Sequence, residues 1–458
     1  MSEIGLSRAQ EKMREAGVAA QAIDVFTHYY RELGGGATGL IPEGTIEPMT
    51  SIDSIDDVGV SRTQAREALG RTVLIKLNGG LGTSMGMDRA KSLLPVRDGR
   101  TFLDILVDQV RAARRSYGAE LPLIFMNSFR TRQDTLEALA AHPDLAVEGL
   151  PLDFLQNREP KLRQDDLSPV EWPADPELEW CPPGHGDIYT ALMASGVLDA
   201  LIERGYRYAM TSNSDNLGAA PSARIAGWFA ASGAPYAAEL CRRTPADVKG
   251  GHLAVRTSDG RIILRDTAQT PAEEMHFFTD QFRHPFFHTN NLWFDLHVLR
   301  DTLVQRRGIL GLPLIRNAKT VDPADPASTP VVQIETAMGA AVEAFEGATA
   351  IEVPRSRFLP VKTTNDLLLL RSDAYELDEA GRLSQVAQSA CTVSLDPRYY
   401  KTISDFEARF PQGAPSLREA GSLTVEGDWT FGRDVVATGE AVVAEAGSPG
   451  TIADGSRI

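Results

Sequence analysis

The sequence predicts an α/β protein with a Rossmann-like core built on a mostly parallel sheet, followed by a small C-terminal β-helix-like domain. Strand-like and helix-like patterns alternate through residues 73–370, as in right-handed crossovers between parallel strands. The apolar run Val73–Leu77 leads directly into a glycine-rich turn, which is typical of a strand buried on both faces. From about Leu423, short strands separated by Gly and Asp replace the alternation, a spacing typical of stacked β rungs.

These patterns divide the chain into three predicted parts: a helical lead-in at residues 1–72, the core at 73–370 and the C-terminal domain at 371–458. In the lead-in, apolar residues recur among charged ones, at Met13, Val18, Ile23, Phe26 and Tyr30. That recurrence predicts one or two amphipathic helices, which we expect to pack on the core.

Within the core, we expect a helix from Ile188 to Leu201 and a strand at Tyr206–Thr211. Ligands of open α/β sheets bind beyond the carboxyl ends of the strands, so the loops after Leu77 and Thr211 should meet at one site. Two stretches interrupt the alternation. Residues 151–183 hold seven prolines and should run extended over the sheet edge, whereas residues 252–265 should form a hairpin with an Asp-Gly turn.

Composition and charge exclude several classes of function. The 458 residues are 43% hydrophobic, but no apolar run reaches the roughly 18 residues that a membrane span needs. The N-terminus lacks a basic segment followed by an apolar one, so we expect a cytoplasmic protein. The formal charge of −16 argues against nucleic-acid and membrane partners, which need a basic surface. Three widely spaced cysteines, at 181, 241 and 391, indicate neither a disulfide framework nor a zinc site.

The glycine-rich turn is the first candidate binding element. Asn78 opens a loop with glycines at 79, 80, 82 and 86, which let backbone N–H groups point into one concavity and admit a ligand closely. Lys91 follows as a cation for phosphate oxygens. The spacing is neither that of a P-loop nor a clean GxGxxG. On this stretch alone, a purely structural tight turn is an equally good interpretation.

Two further polar stretches lie at the predicted edge of the sheet. His185 stands between glycines at the start of a helix, where N–H groups and the helix dipole favour a bound anion, although a lone histidine is more often structural. Asp215 lies just past a strand, and a carboxylate there suits Mg²⁺, which binds one or two carboxylates together with water and phosphate oxygens. An Asx-turn explains Asp215 equally well.

Lys362 is the fourth candidate. It precedes Thr363-Thr364-Asn365-Asp366, a sequence that predicts the N-terminus of a helix. A cation and exposed N–H groups would then converge on one phosphate. The alternative is an ordinary solvated lysine on the surface.

Several long strings together resemble one family. They are Leu77–Gly86 with Lys91-Ser92, Pro182–Tyr189, Ser212–Gly218, Asp247–Gly251, Thr289–Trp293, Gln333–Ala337 and Val353–Thr364. In order and spacing, the chain from about Leu74 to Leu370 is similar to the UTP–glucose-1-phosphate uridylyltransferases (UDP-glucose pyrophosphorylases) of the eukaryotic type. The resemblance implies a GT-A-like nucleotidyltransferase domain at 73–370 and a short left-handed β-helix within 371–458.

The resemblance also implies an activity and a set of residues. UTP and glucose 1-phosphate would be the substrates, and Mg²⁺ on Asp215 the cofactor. The alternatives are a uridylyltransferase for another sugar 1-phosphate, such as N-acetylglucosamine 1-phosphate or several sugars, and a non-catalytic protein that binds UTP or UDP-sugars. The implied catalytic residues are Lys362, Lys91 and Asp215. The implied UTP-binding residues are Leu77, Asn78, Gly79, Gly80, Lys91, Gln156, Gly184 and Lys362, and the sugar-phosphate residues are His185, Asn213, Ser214, Asp215 and Asn290.

The chain departs from the family pattern at three places. Met87-Asp88-Arg89-Ala90 stands where the family commonly has Cys-Lys-Gly-Pro, so an acid replaces the first lysine. His288 replaces the first asparagine of the family's Asn-Thr-Asn-Asn, which puts a direct role for position 288 in doubt. From the position of Ile458 we expect a C-terminal β-helix shorter than the one associated with the eukaryotic enzymes. A homo-oligomer through the C-terminal domain is therefore an open expectation, and the family's contacts do not carry over.

Overall fold

A computed structural model describes residues 3–36, 38–244, 247, 250–387 and 390–458. Its α-helices are α1 Glu3–Glu15, α2 Ala20–Gly34, α3 Arg62–Leu69, α4 Phe102–Tyr117, α5 Arg132–Leu139, α6 Ile188–Ala194, α7 Val197–Glu203, α8 Ala223–Ser232, α9 Met275–Phe278, α10 Leu296–Gln305, α11 Thr364–Arg371, α12 Pro397–Tyr400 and α13 Ile403–Arg409. The first strands are β1 Ile46–Pro48, β2 Thr72–Asn78, β3 Pro95–Arg97, β4 Arg100–Thr101, β5 Leu123–Asn127, β6 Asp153–Leu155, β7 Glu159–Pro160, β8 Leu162–Arg163, β9 Trp180–Cys181, β10 Tyr208–Asn213, β11 Tyr236–Arg242 and β12 His252–Arg256. The later strands are β13 Ile262–Arg265, β14 Phe286–Asp295, β15 Ile315–Thr320, β16 Pro330–Glu335, β17 Thr349–Glu352, β18 Tyr375–Leu377, β19 Leu383–Gln385, β20 Thr392–Leu395, β21 Ser416–Val425, β22 Trp429–Phe431, β23 Val436–Val443 and β24 Gly450–Ile452.

The centre of the protein is a mixed sheet with the strand order β17-β11-β14-β10-β2-β5-β6. Strands β10, β2, β5 and β6 pair in parallel, and so do β11 and β17, whereas β14 runs antiparallel to both of its neighbours. Apolar side chains on both faces of the sheet are buried beneath helices, as the uninterrupted apolar run in β2 predicts. The prediction of an α/β fold with a mostly parallel central sheet is confirmed.

The register of the sheet brings the polar strand ends together. Asn213 at the end of β10 pairs with Leu77 of β2, and Asn78 of β2 pairs with Asn127 of β5. Because the parallel strands end at the same edge, the loops that follow them meet there. Asn290 of β14 reaches this edge from the opposite direction.

Several local predictions also have clear outcomes. The amphipathic lead-in folds as α1 and α2, and β12 and β13 form the expected antiparallel hairpin. The single helix expected from Ile188 to Leu201 is wrong, because Gly196 adopts a left-handed φ of 76° and separates α6 from α7. The proline-rich stretch also contains short paired strands, β6 to β9. No helix within the described ranges has the length and apolar character needed to cross a membrane.

The C-terminal strands pair in parallel, in the orders β20-β21-β23 and β22-β24. This unit contacts the core at two places near the sheet edge. Thr364 Oγ1 at the start of α11 donates to the Tyr400 carbonyl at 2.7 Å, and a Cβ on Gly86 of the glycine loop would lie 3.1 Å from Thr402 Cβ. The C-terminal unit therefore touches two elements that carry candidate site residues.

A buried ion pair joins the sheet to the chain before α11. Glu239 of β11 is fully buried, and its carboxylate accepts two hydrogen bonds from the Arg357 guanidinium at 2.7 and 2.9 Å. Trp293 Nε1 and Asn291 Nδ2 of β14 donate to the same carboxylate at 2.9 and 3.1 Å. Burial alone would raise the pKa of Glu239, but Arg357 and these donors outweigh it and lower the pKa, so that the group is ionised.

We expect Arg357→Leu to destabilise the protein by about 3–5 kcal/mol, because it leaves the Glu239 carboxylate buried without its partner. Urea unfolding followed by circular dichroism measures the change. Arg418→Leu is the matched control, since Arg418 pairs with Glu376 at 2.9 Å on the surface, where loss of an ion pair costs less than about 1 kcal/mol. Equal losses for the two variants would contradict the structural role of the buried pair.

Candidate functional site

The loops at the sheet edge enclose a cleft of two adjoining cavities, with volumes of about 470 and 330 Å³, a size typical of small-molecule sites. His185 and Asn213 line both cavities and mark their junction. The glycine-loop cavity is lined by Leu77, Gly79, Gly80, Lys91, Gln156, Gly184, Ser214 and Asp215, among others. The Lys362 cavity is lined by Asn290, His288 and Lys362, among others. Apart from Asn78, the structure brings every candidate residue to this cleft.

The glycine loop forms a wall of backbone. Gly82 and Gly86 have φ values of 70° and 72°, a left-handed conformation that favours glycine. The N–H groups of residues 80–82 donate no hydrogen bond to any described residue. The Gln156 amide lies against Gly79, where an added Cβ would come within 2.9 Å of Gln156 Oε1. The result is a narrow slot with backbone donors on one side and a carboxamide on the other.

Asn78 differs from its expected place. Its side chain is buried, and its Nδ2 donates to Asn127 Oδ1 and Thr135 Oγ1, both at 2.9 Å, while its Oδ1 accepts from Ser214 Oγ at 3.0 Å. The alternation of β2 turns this side chain into the core and away from the cleft. Asn78 therefore fastens the glycine loop to the loop after β10.

The turn around His185 is held tightly against the chain after β16. Gly184 has a φ of 77°, and a Cβ there would lie 2.5 Å from the Thr336 carbonyl oxygen. His185 Nδ1 accepts the backbone N–H of Met338 at 2.9 Å, and loss of water around the ring lowers its pKa. The ring is consequently neutral with its proton on Nε2, which can donate to an anion in the cleft.

Asp187, to which the sequence analysis assigned no role, positions the segment that carries Gln156. Its carboxylate accepts the Asn157 backbone N–H at 2.6 Å and the Asn157 side-chain amide at 2.8 Å. Burial raises the pKa of Asp187 to about 6, against the lowering effect of the two bonds. The signal for this role in the sequence was the position of Asp187, which directly follows Gly184-His185-Gly186 at the start of a helix.

Asp215 and Lys91 form an ion pair at the floor of the glycine-loop cavity. Lys91 Nζ lies 2.6 Å from Asp215 Oδ2 and also donates to the carbonyl of Val361. The Asx-turn in this loop belongs to Asn216, whose Oδ1 accepts the Gly218 N–H at 3.2 Å. The Asp215 carboxylate is therefore directed into the cleft and does not support the turn.

The residues around Asp215 fit a metal ion that is shared with a ligand. No group of three or more His, Cys, Asp or Glu side chains in the described part of the chain is arranged to hold a metal. Mg²⁺ needs only one or two carboxylates when phosphate oxygens and water complete its octahedron. Asp215 supplies one such carboxylate beside a cavity of sufficient size.

Lys362 stands at the mouth of the other cavity. Its side chain is exposed and, among the described residues, makes no hydrogen bond or ion pair. The helix predicted after it is present as α11. However, the N–H groups of Lys362 and Thr363 both donate to the Asp366 carboxylate at 2.8 Å. The capping carboxylate thus occupies these two N–H groups, and a phosphate at the start of α11 stays a prediction for the N–H groups that follow them.

A lysine that the sequence analysis passed over lies beneath the cleft. Lys76 of β2 is almost fully buried, and its Nζ donates to Ser212 Oγ at 2.7 Å and to the Ala219 carbonyl at 2.9 Å. Burial, reinforced by Arg357, lowers its pKa to about 7. The signal in the sequence for a structural or functional role of Lys76 was its position as a charged residue inside an apolar strand. Lys76 supports both ends of the loop that carries Asp215.

The comparisons with known proteins agree with one another. The family model described as UTP–glucose-1-phosphate uridylyltransferase matches residues 23–437. The probable enzyme of that name from Schizosaccharomyces pombe is 36% identical, with 92% of this chain and 82% of the relative covered. The enzyme from Solanum tuberosum is 37% identical, with 90% and 85% covered.

Solved structures show the same likeness. A mutant UDP-glucose pyrophosphorylase from Leishmania major in complex with UDP-glucose is 42% identical, with a TM-score of 0.93 over 100% of this chain and 98% of that one. A UDP-glucose phosphorylase from Trypanosoma brucei is 41% identical, with a TM-score of 0.91 over the same shares.

Proposed function

The chain belongs to the UTP–glucose-1-phosphate uridylyltransferase family, and from that premise we propose that it makes UDP-glucose and diphosphate from UTP and glucose 1-phosphate. An oxygen of the sugar phosphate attacks the α-phosphorus of UTP, and the bond from that phosphorus to the β-phosphate bridging oxygen breaks as diphosphate leaves. The substrate itself is the nucleophile. The protein therefore accelerates the reaction by positioning and by neutralising charge.

The contacts of Lys91 carry this proposal. Its ammonium touches the Asp215 carboxylate and the carbonyl of Val361, the residue before Lys362. Lys91 and Asp215 line one cavity and Lys362 lines the adjoining one, so these three residues bring two cations and one carboxylate to the cleft. A reaction between two phosphate esters needs such a centre, with one substrate on each side.

We assign the glycine-loop cavity to UTP. Backbone groups from Leu77 to Gly80, the Gln156 amide and Gly184 would bind the uridine. The Lys91 ammonium would leave the Asp215 carboxylate and pair with the departing diphosphate. Lys362 would neutralise charge on the α-phosphate. The sugar phosphate would lie in the Lys362 cavity, bound by His185, Asn213 and Asn290, and Ser214 would contact it from the adjoining glycine-loop cavity.

We also propose that Mg²⁺ is the cofactor and that Asp215 holds it together with UTP. When bound, the ion neutralises phosphate charge and orients the phosphate oxygens. The protein would provide the carboxylate oxygen Oδ1 of Asp215 as a metal ligand, and this oxygen has no hydrogen bond to any described residue. Asp215 Oδ2 would become available once Lys91 turns to the diphosphate.

The division into three parts at residues 72 and 370 remains our proposal, as do the β-helix character and left-handedness of the last part and the cytoplasmic location. The parallel pairing of β20, β21 and β23, and of β22 with β24, supports a β-helix. Whether copies associate through this part is decided by sedimentation of the full chain and of a chain ending at residue 370.

The first test of the function is selectivity. Uracil presents N3–H between two carbonyls, and a slot of fixed backbone donors leaves buried groups unpaired when another base enters. We expect kcat/KM for UTP to exceed the values for ATP and CTP by at least about a hundredfold, measured as diphosphate release with glucose 1-phosphate. Comparable turnover of ATP would refute the assignment. Preferred use of N-acetylglucosamine 1-phosphate would instead favour the alternative sugar substrate.

The second test concerns Asp215. Asp215→Asn keeps the size of the side chain but removes the charge that would hold Mg²⁺, so we expect kcat to fall by about two orders of magnitude or more while the fold, checked by circular dichroism, persists. Asp98→Asn, in the exposed turn between β3 and β4, is the control and should stay near wild type. Wild-type turnover by Asp215→Asn at ordinary Mg²⁺ would remove Asp215 from the site.

The third test separates a transition-state role of Lys362 from simple binding of UTP. Charge builds on the α-phosphate oxygens during attack, so a cation placed there matters more in the transition state than in the bound substrate. Lys362→Ala should lower kcat by about two orders of magnitude or more, while the directly measured UTP Kd changes little. Lys319→Ala, on the exposed face of β15, serves as control. A loss found wholly in UTP affinity would contradict this role.

A further inference from the structure

His288 is a buried histidine beside the cleft whose role the proposed function leaves open. It lies on β14 and lines the Lys362 cavity, yet it is only 9% exposed. Its Nδ1 accepts the backbone N–H of Asn290 at 3.1 Å. Burial and the nearby His185 lower the pKa of His288 to about 3, so the ring is neutral and carries its proton on Nε2.

The hydrogen bond from Asn290 supports an unusual backbone conformation. Asn290 has a φ of 63°, the left-handed region, within a strand whose pairing with β11 shifts register at this point. A non-glycine residue there is strained unless its surroundings hold it. In this conformation Asn290 Nδ2 donates to Asn213 Oδ1 at 3.1 Å, and Asn213 lies at the junction of the two cavities.

The histidine ring also fits its place closely. A Cβ on Gly339 would lie 2.7 Å from His288 Cε1 and 2.9 Å from its Nε2, so glycine at 339 makes room for the ring. His288 Nε2 has no hydrogen-bond partner among the described residues. A buried polar atom without a partner is costly, and packing alone gives no reason for a histidine here.

We propose that His288 is a positioning residue, which holds Asn290 in its left-handed conformation so that the Asn290 and Asn213 amides are set for the sugar phosphate. This inference rests on the proposed function, because it names the substrate of that site. An asparagine at position 288 could make the same bond, because an asparagine side chain accepts the N–H two residues further on in an Asx-turn.

Three variants at one position separate the hydrogen bond from packing. His288→Leu fills the space without an acceptor, His288→Ala is small without an acceptor, and His288→Asn is small with one. We expect KM for glucose 1-phosphate to rise about tenfold in the Leu and Ala variants, with KM for UTP within about twofold. His288→Asn should stay within about threefold of wild type. The reverse order, with Asn worse than Leu, would show a packing role and overturn the proposal.

A double-mutant cycle tests whether the effect passes through Asn290. Asn290→Gly adopts the left-handed conformation freely but lacks the amide, so His288→Leu should add nothing to its KM for glucose 1-phosphate. Full additivity would contradict the proposal. His252→Ala is the control, since His252 is also buried with an Nε2 that has no partner among the described residues but does not line either cavity. It should lower the melting temperature and leave both KM values near wild type.

Hydrogen exchange of the Asn290 amide gives a readout that does not depend on turnover. Its protection should fall about tenfold in His288→Leu and be retained in His288→Asn. Unchanged protection in His288→Leu would overturn the positioning role, whatever the kinetics. If the wild type fails to form UDP-glucose, the proposed function falls, while the exchange result still decides whether His288 holds Asn290.

Discussion

The cleft depends on the buried pair of Glu239 and Arg357. Charges are costly to bury, and this pair persists because each member is fully engaged: Trp293 and Asn291 donate to the carboxylate, and the Arg357 carbonyl accepts from Asn216 and Asn291. These bonds join β11, β14, the loop after β10 and the chain leading to Lys362. This network, which includes Asn216 in the wall of the Lys362 cavity, therefore fixes the positions of the loops around the cleft.

Three lysines in and beneath the cleft explain how an acidic protein can bind phosphate groups. The formal charge of −16 cannot attract phosphates as a whole, so the positive charge has to be local. Lys91 is held by Asp215, Lys362 stands free at the mouth, and Lys76 lies beneath with a pKa lowered to about 7. Each lysine has a different environment, and only Lys362 is both exposed and unpaired among these three.

The sequence was sufficient for the α/β fold with its mostly parallel central sheet and for the set of loops that meet at the edge of that sheet. The apolar run in β2, the glycines after it and the hairpin at residues 252–265 are local patterns, and local patterns predict elements well. The break at Gly196, the antiparallel direction of β14 and the role of Asp187 depend on tertiary contacts. A charged residue in an apolar strand, such as Glu239, predicts that a buried partner exists but does not identify that partner. Arg357, more than a hundred positions away, is identified only by the fold.

Two sets of polar groups near the cleft are already paired within the chain: the side chain of Asn78, and the N–H groups of Lys362 and Thr363. Buried polar groups must be satisfied in the free protein as well as in the complex, so a motif residue often supports the groups beside it. What the fold leaves unpaired is more informative about binding: the backbone of the glycine loop, one oxygen of Asp215 and the Lys362 ammonium. His288 illustrates the other case, in which a buried ring uses one nitrogen to hold a neighbour that itself faces the cleft.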